Sequence, residues 1–223
     1  MRSTGWGGVD QAVVARSTMR IAIQHLSAAD PVLGAHITRV GPYRQKPEKF
    51  EPYEALVRAI AHQQLHANAA RAILARFVAL YPADGFPPPA QVLSTSDAAM
   101  RGCGFSAAKT AAIRDIALKA AEGIVPSRRA AARLSDAELI ERLMVIRGVG
   151  RWTVEMLLMG TLGRLDILPV DDFGVRDGYR HLHGLDALPK PRDLAAIGEM
   201  WAPYRSVAAW YLWRAADLAK LKT

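Results

Sequence analysis

Cysteine is nearly missing from this chain: Cys103 is the one thiol among 223 residues. A single thiol excludes an intramolecular disulfide, a multi-cysteinate zinc site and a four-cysteine iron–sulfur cluster. Long apolar runs are missing too. Stretches such as 207–213 or 156–159 fall far short of the ~20 residues that span a bilayer, so no membrane role is expected. No charged segment followed by an apolar stretch and a small-residue cleavage site opens the chain, which points to a reducing, cytoplasmic setting, on the nucleoid if the cell is bacterial. Lysine is scarce: seven of the 29 basic residues are lysine and 22 are arginine, against 21 acidic residues and a net charge of +8. Such a field attracts a polyanion, and the planar arginine fork suits phosphate oxygens, although basic surfaces also occur without a nucleic-acid partner. With 51% hydrophobic and 22% charged residues the composition is that of an ordinary globular protein, one large domain or two small lobes.

Extended segments are few as well. Helical spacing dominates, and only residues 165–170 read as briefly extended, so the fold class is all-α. Residues 1–18 carry Gly, Ser and Thr without periodicity and read as a mobile lead, with the folded domain over 19–223. Tyr53, Leu56, Val57, Ile60, Ala61 and Leu65 form an apolar stripe, continued after a break by Ala70, Ile73, Leu74, Phe77 and Val78, which predicts two core helices. Ser94 or Ser96 heads the next short helix, and Ser106 a long one ending near Gly123. Ser135 with Glu138 is a capping box, opening a helix whose stripe is Leu139, Leu143 and Ile146.

That helix ends in Ile146-Arg-Gly-Val-Gly-Arg-Trp-Thr153 and runs straight into a second apolar helix, a helix–turn–helix over about 135–160. Gly148 and Gly150 let the backbone turn sharply and approach another surface. The N–H groups at the start of the second helix make a phosphate site without sequence information, flanked by Arg147 and Arg151. An ordinary αα-hairpin with a capping glycine is the alternative at this point. Twenty residues beyond Trp152, Asp171 and Asp172 follow an apolar, proline-containing stretch. Asp171 is expected to cap the helix beginning near Phe173, which leaves Asp172 as the carboxylate for chemistry, as a base or a stabiliser of positive charge. His62 and His66 imitate a zinc helix, but Gln63 replaces the glutamate of that motif and no third ligand is evident. Glu155 reads as exposed or salt-bridged rather than catalytic, and Trp201 and Trp210 as core.

The hairpin octet, Pro169-Val-Asp-Asp-Phe-Gly-Val175 and Trp201-Ala-Pro-Tyr-Arg-Ser-Val-Ala-Ala-Trp-Tyr-Leu-Trp213 together resemble the helix-hairpin-helix (HhH-GPD) DNA glycosylases, within them the 3-methyladenine DNA glycosylase II type. The likeness runs from His25-Leu26-Ser27 to Trp213 and includes residues 59–64 and Gly104-Phe105-Ser106 with Lys109. It implies two helical lobes, interleaved in sequence, with the active site in the cleft between them and the hairpin on DNA phosphates. It implies Asp172 as catalytic residue, Trp152 and Trp213 as pocket walls, and Met156 on the same wall where some relatives carry tyrosine. By the same resemblance Gly148, Gly150, Arg147, Arg151 and Thr153 contact DNA, and Gln63, Gln64 or Leu65 fills the gap left by a flipped nucleotide. Relatives that nick the backbone use a lysine after the hairpin; Arg151 and Trp152 occupy that neighbourhood, and arginine cannot form a Schiff base. A monofunctional hydrolase is therefore implied, acting as a monomer on duplex DNA with alkylated bases. No cofactor is expected beyond a structural Na⁺ or K⁺ on the main-chain carbonyls of Met144, Ile146 and Val149. A non-catalytic DNA-binding hairpin protein and a glycosylase for oxidised or mismatched bases are the alternatives.

Overall fold

A computed structural model describes residues 11–81 and 85–221. Among the described residues every regular element is helical and there is no strand. Residues 165–170, expected as extended, form an irregular connection. The chain divides into two compact units, one of residues Lys46–Arg164 and one of the described residues up to Gln45 and from Leu165 onwards. No helix among the described residues is long and apolar enough to cross a membrane.

The discontinuous unit opens with α1, Gln11–Ala29. Residues 11–18 are thus the first turns of a helix rather than part of a lead, because no Gly or Pro interrupts the good helix formers from residue 11 to 29; residues 1–10 lie outside the described residues. Asp30 caps α2, Pro31–Val40, by accepting the Leu33 N–H at 3.0 Å. After the other unit the chain returns through α11 (Phe173–Leu182), α12 (Pro191–Gly198), a 3₁₀ turn at Glu199–Trp201 and α13 (Arg205–Lys220). Leu26, Leu33, Trp201 and Tyr211 are fully buried in its core. α11 and α13 lie against each other so closely that a Cβ at Gly178 would stand 1.9 Å from the Leu212 carbonyl oxygen. Only glycine fits there.

The continuous unit runs α3 (Pro52–His62), α4 (Ala67–Val78), α5 (Pro89–Ser94), α6 (Asp97–Gly102), α7 (Ala107–Ala121), α8 (Arg128–Ala131), α9 (Asp136–Met144) and α10 (Arg151–Gly160). Ser96 caps α6, Ser106 caps α7, and Ser135 with Glu138 forms the capping box of α9. The central α7 rests on α3 and α5, and α10 on α3 and α9. Leu56, Ile60, Phe77, Met100, Ile113, Ile116, Leu139 and Leu143 fill the space between them. Arg128 binds the incoming strand of chain to this core: its guanidinium donates to the Thr161 carbonyl at 2.8 Å, the Phe50 carbonyl at 2.9 Å and the Glu48 carbonyl.

Candidate active site

Each unit carries part of the residue set expected from the sequence. In the discontinuous unit, the segment from Leu165 is tied to the start of α13. Arg205 forks onto Asp166 at 2.7 and 2.8 Å, Ser206 N–H donates to the Leu165 carbonyl at 2.9 Å, and Ser206 Oγ accepts the Ile167 N–H at 2.9 Å. Burial raises the Asp166 carboxyl, but the Arg205 bonds and charge outweigh it and hold the group below the usual carboxylate range. This tether fixes the entry to Asp172, the N-cap of α11. Its Oδ1 accepts the Val175 N–H at 2.8 Å and the Trp213 Nε1–H at 2.8 Å. Asp172, and not Asp171, therefore does the capping; Asp171 is exposed one residue too early to reach the first turn. The cap and the indole engage one carboxylate oxygen, so the side chain's orientation is set by two donors. Phe173, immediately after it, leaves 60% of its surface exposed.

In the continuous unit, α9 and α10 flank the glycine turn. Gly148 has φ of +77° and would set a Cβ 3.1 Å from the Cβ of Ala112 on α7, so both its conformation and its place against α7 call for glycine. The Asp115 carboxylate on α7 accepts the Arg147 N–H at 2.7 Å, and Gln63 Nε2 donates to the Gly148 carbonyl at 3.2 Å. Ile146 and Val149 point inward, whereas Met144, Val145, Arg147, Gly148, Gly150 and Arg151 lie on the surface. Gly150 heads α10 without a side-chain cap, which leaves the N–H groups of its first turn directed outward.

Behind that turn lies a cavity of about 790 Å³ lined by this unit alone, with Trp152, Met156, Gln63 and Gln64 on its wall. Trp152 is 43% exposed, far more than a core indole. Thr153, expected on the DNA side, is instead 4% exposed and lines the cavity, since the turn before it points Trp152 outward and Thr153 inward. Glu155 is 3% exposed and salt-bridged to Arg151 at 3.0 Å, so it answers the hairpin's charge instead of facing the cavity. Gln64 has φ of +55°, the left-handed region that costs a residue with a Cβ about 1 kcal/mol or more. Gln64 and Leu65 are both exposed. His62 and His66 do not share a helix face: α3 ends at His62, which bonds the Arg58 carbonyl, and His66 caps α4. No cluster of three or more His, Cys, Asp or Glu that could hold a metal is present among the described residues.

Phe50 and Arg58 are among the cavity residues that went unseen in the sequence. Phe50 lies beneath the Arg58 guanidinium, 4.3 Å from its ring centroid, and Arg58 is paired with Glu54 at 2.7 Å. Phe50 belongs to no periodic segment and is held at this wall by long-range bonds, the Arg128 guanidinium on its carbonyl and the Glu48 N–H on the Gly160 carbonyl at 2.8 Å, while Arg58 sits on the polar side of the α3 stripe.

Residues 57–203 match the family described as HhH-GPD superfamily base excision DNA repair protein. The chain is 46% identical over 197 residues to the DNA-3-methyladenine glycosylase 1 of Schizosaccharomyces pombe, covering 87% of this chain and 86% of that protein. It is 36% identical to the alkylbase DNA glycosidase-like protein mag2 of the same yeast, over 91% of this chain and 96% of the relative. The solved S. pombe 3-methyladenine DNA glycosylase in complex with abasic DNA superposes with a TM-score of 0.81 at 44% identity, over 89% of this chain and 97% of that one. A Bacillus halodurans DNA-3-methyladenine glycosidase superposes with the same score at 34% identity, over 90% and 91% of the two chains.

Proposed function

This chain belongs to the HhH-GPD superfamily of base excision DNA repair proteins, and we propose that it hydrolyses the N-glycosidic bond of alkylated purines, 3-methyladenine foremost, in duplex DNA. The reaction needs the damaged nucleotide out of the stack, at a cost of a few kcal/mol. The α10 N-terminus with Arg147 and Arg151 grips phosphates, and the exposed Gln63–Gln64–Leu65 turn fills the gap left in the helix. Alkylation at N3 or N7 leaves the purine cationic, which makes it a good leaving group and a good partner for electron-rich rings. Trp152 supplies such a ring, with the polarisable Met156 one turn further on. As the bond breaks, positive charge grows on the sugar; the Asp172 carboxylate stabilises it and orients the attacking water. No lysine amine takes the place of water, so the enzyme releases the base and leaves the backbone intact. It works as a monomer, in the cytoplasm or on the nucleoid of a bacterial cell.

The carbonyls of Met144, Ile146 and Val149 are the proposed seat of a monovalent cation. All three end or follow α9, where the helix dipole is negative, and main-chain oxygens suit a hard cation. The Ile146 carbonyl already accepts the Val149 N–H at 3.1 Å and keeps a second lone pair. A cation there would add charge to the phosphate grip.

The observation that carries the reading is the doubly anchored carboxylate of Asp172 against the Trp213 indole. Asp172→Asn keeps the cap and the shape, and is expected to cut single-turnover release of 3-methyladenine from methylated duplex by about 100-fold or more while binding to an abasic-site duplex stays within about threefold. A wild-type chain that binds such DNA but frees no base would leave it a non-catalytic binder. Preferential release of 8-oxoguanine would make it an oxidised-base enzyme.

A further inference from the structure

The α7 helix touches both turns assigned to DNA. Three of its residues do so at helical spacing: Lys109 on the Gln63–Gln64 turn, and Ala112 and Asp115 on the glycine turn of the hairpin. The Lys109 ammonium donates to the Ala61 carbonyl at 2.9 Å and to the Gln63 carbonyl at 2.7 Å. These are acceptors at the frayed end of α3, where a cation is favoured by the helix dipole. The same ammonium sits in the first turn of α7, where its charge is disfavoured by that helix's own dipole, and burial draws it below its ordinary value of 10.5. What its two donors hold is visible next door. Gln64 holds φ of +55°, and a strained residue of this kind persists only where its neighbours over-determine it. Here the neighbours are the Lys109 bond to the carbonyl just before Gln64, the Gln63 side-chain bond to Gly148, and the Leu65 N–H bond to the His62 carbonyl at 3.3 Å.

We propose that Lys109 is a positioning residue: its ammonium holds the Gln63–Gln64–Leu65 turn in the left-handed form that unstacks DNA, at a spacing from the phosphate-gripping hairpin that α7 fixes. The assignment rests on the proposed glycosylase reading, and makes one demand that a scaffold role does not. Loosening the turn should spare the phosphate grip and injure the unstacking step.

The test places 2-aminopurine beside a tetrahydrofuran abasic analogue in a duplex, so that its fluorescence reports unstacking without any base release. In Lys109→Met the unstacking signal and the single-turnover release of 3-methyladenine are expected to fall together by about tenfold or more, the value of one to two charge-assisted hydrogen bonds, with undamaged-duplex affinity within about twofold. Lys109→Arg, which keeps the cation and two donors, should recover at least about half of the signal. Lys109→Gln, with one uncharged donor, carries the test should the methionine variant fail to fold, and is expected to show the same split at about threefold or more. Unchanged unstacking in the folded variants, or an equal loss of unstacking and undamaged-duplex affinity, overturns the proposal. The abasic duplex keeps the two readings apart: a wild-type chain that unstacks 2-aminopurine yet frees no base defeats the glycosylase assignment and leaves the Lys109 result intact.

Discussion

His36 is a buried side chain whose protonation the fold opposes. It is 3% exposed, Arg39 donates to its Nδ1 at 2.9 Å, and its Nε2–H donates to the Tyr211 carbonyl at 3.0 Å. Both ring nitrogens are thus used by the neutral imidazole, and protonation would set a cation against Arg39. Burial pushes the group below its ordinary value of 6.5; the Tyr211 bond opposes the shift and the Arg39 charge adds to it. The unfolded chain takes up a proton near 6.5 and the folded chain only at lower pH, so the unfolded state binds more protons in that interval. The His36 contribution is whole above 6.5 and is lost as pH falls from there through the lower value of the folded chain. Melting temperature followed from about pH 7.5 to about pH 5.5 should therefore drop more steeply for the wild type than for His36→Gln, which keeps a neutral donor; parallel curves would remove His36 from the account. At this same scale the candidate site was partly legible. Trp152 and Met156 share a wall because four residues make one helical turn, and Asp172 stands out by its place before a helix. The cap itself fell on Asp172 and not on Asp171, a shift of one residue that depends on where α11 begins. Phe50 depended on contacts from distant parts of the chain, and Arg58 lay on the polar side of its helix.

At the scale of the element, several helix starts were legible because they are decided locally, although the equally local Asp30 cap of α2 was not read. Ser96, Ser106 and the Ser135–Glu138 box satisfy N–H groups within three residues, so the sequence carries the whole reason for those boundaries. The end of α3 is different. Its apolar stripe continues to Leu65, yet the helix stops at His62, where Lys109, 48 positions on from Ala61, takes the terminal carbonyls. The pairing of α11 with α13 is likewise a long-range fact, condensed into Gly178. An added Cβ meets the Leu212 carbonyl oxygen at 1.9 Å and its carbon at 2.6 Å, both backbone, so relief requires the helices to separate. Gly178→Ala is expected to cost about 2–3 kcal/mol and to lower the melting temperature by about 5 °C or more. Gly160→Ala is the control in the other unit: nothing lies within 4 Å of its added Cβ, and alanine's lower unfolded-state entropy should leave stability unchanged or raise it by up to about 1 kcal/mol. Equal losses at the two positions would mean that the α11–α13 contact does not limit stability.

For the whole molecule, the net charge of +8 and the 22 arginines overstate what reaches DNA. Five of these guanidiniums are engaged by the chain's own acceptors: Arg76 holds the Cys103 carbonyl, Arg142 the carbonyls of Gly123 and Ile124, Arg164 those of Ala131 and Leu134, Arg128 the incoming chain and Arg205 the Asp166 carboxylate. Arginine does this work because one planar fork satisfies two or three carbonyls at once, a use that composition cannot distinguish from phosphate binding. The hairpin keeps Arg147 and Arg151 on the surface, and Arg151 already answers Glu155. The proposed grip, built on an uncapped helix start and a few side chains, would neutralise few phosphates and release few counterions. Affinity for an undamaged duplex, followed by fluorescence anisotropy against KCl, should fall with a log–log slope of about −2 to −4, a loss of about 15- to 250-fold between about 50 and 200 mM salt. Gly150→Asp, which sets a carboxylate at the head of α10, should weaken binding and flatten that slope by about one. Single-turnover base release from saturated duplex should stay constant across the same series, because in the proposed reaction the charge that Asp172 meets arises on the sugar within the bound complex and frees no counterion. A slope steeper than about −6 would place most of the grip on a broader basic surface than the hairpin, and a release rate that fell in step with affinity would mean that the phosphate contacts act in the chemical step itself.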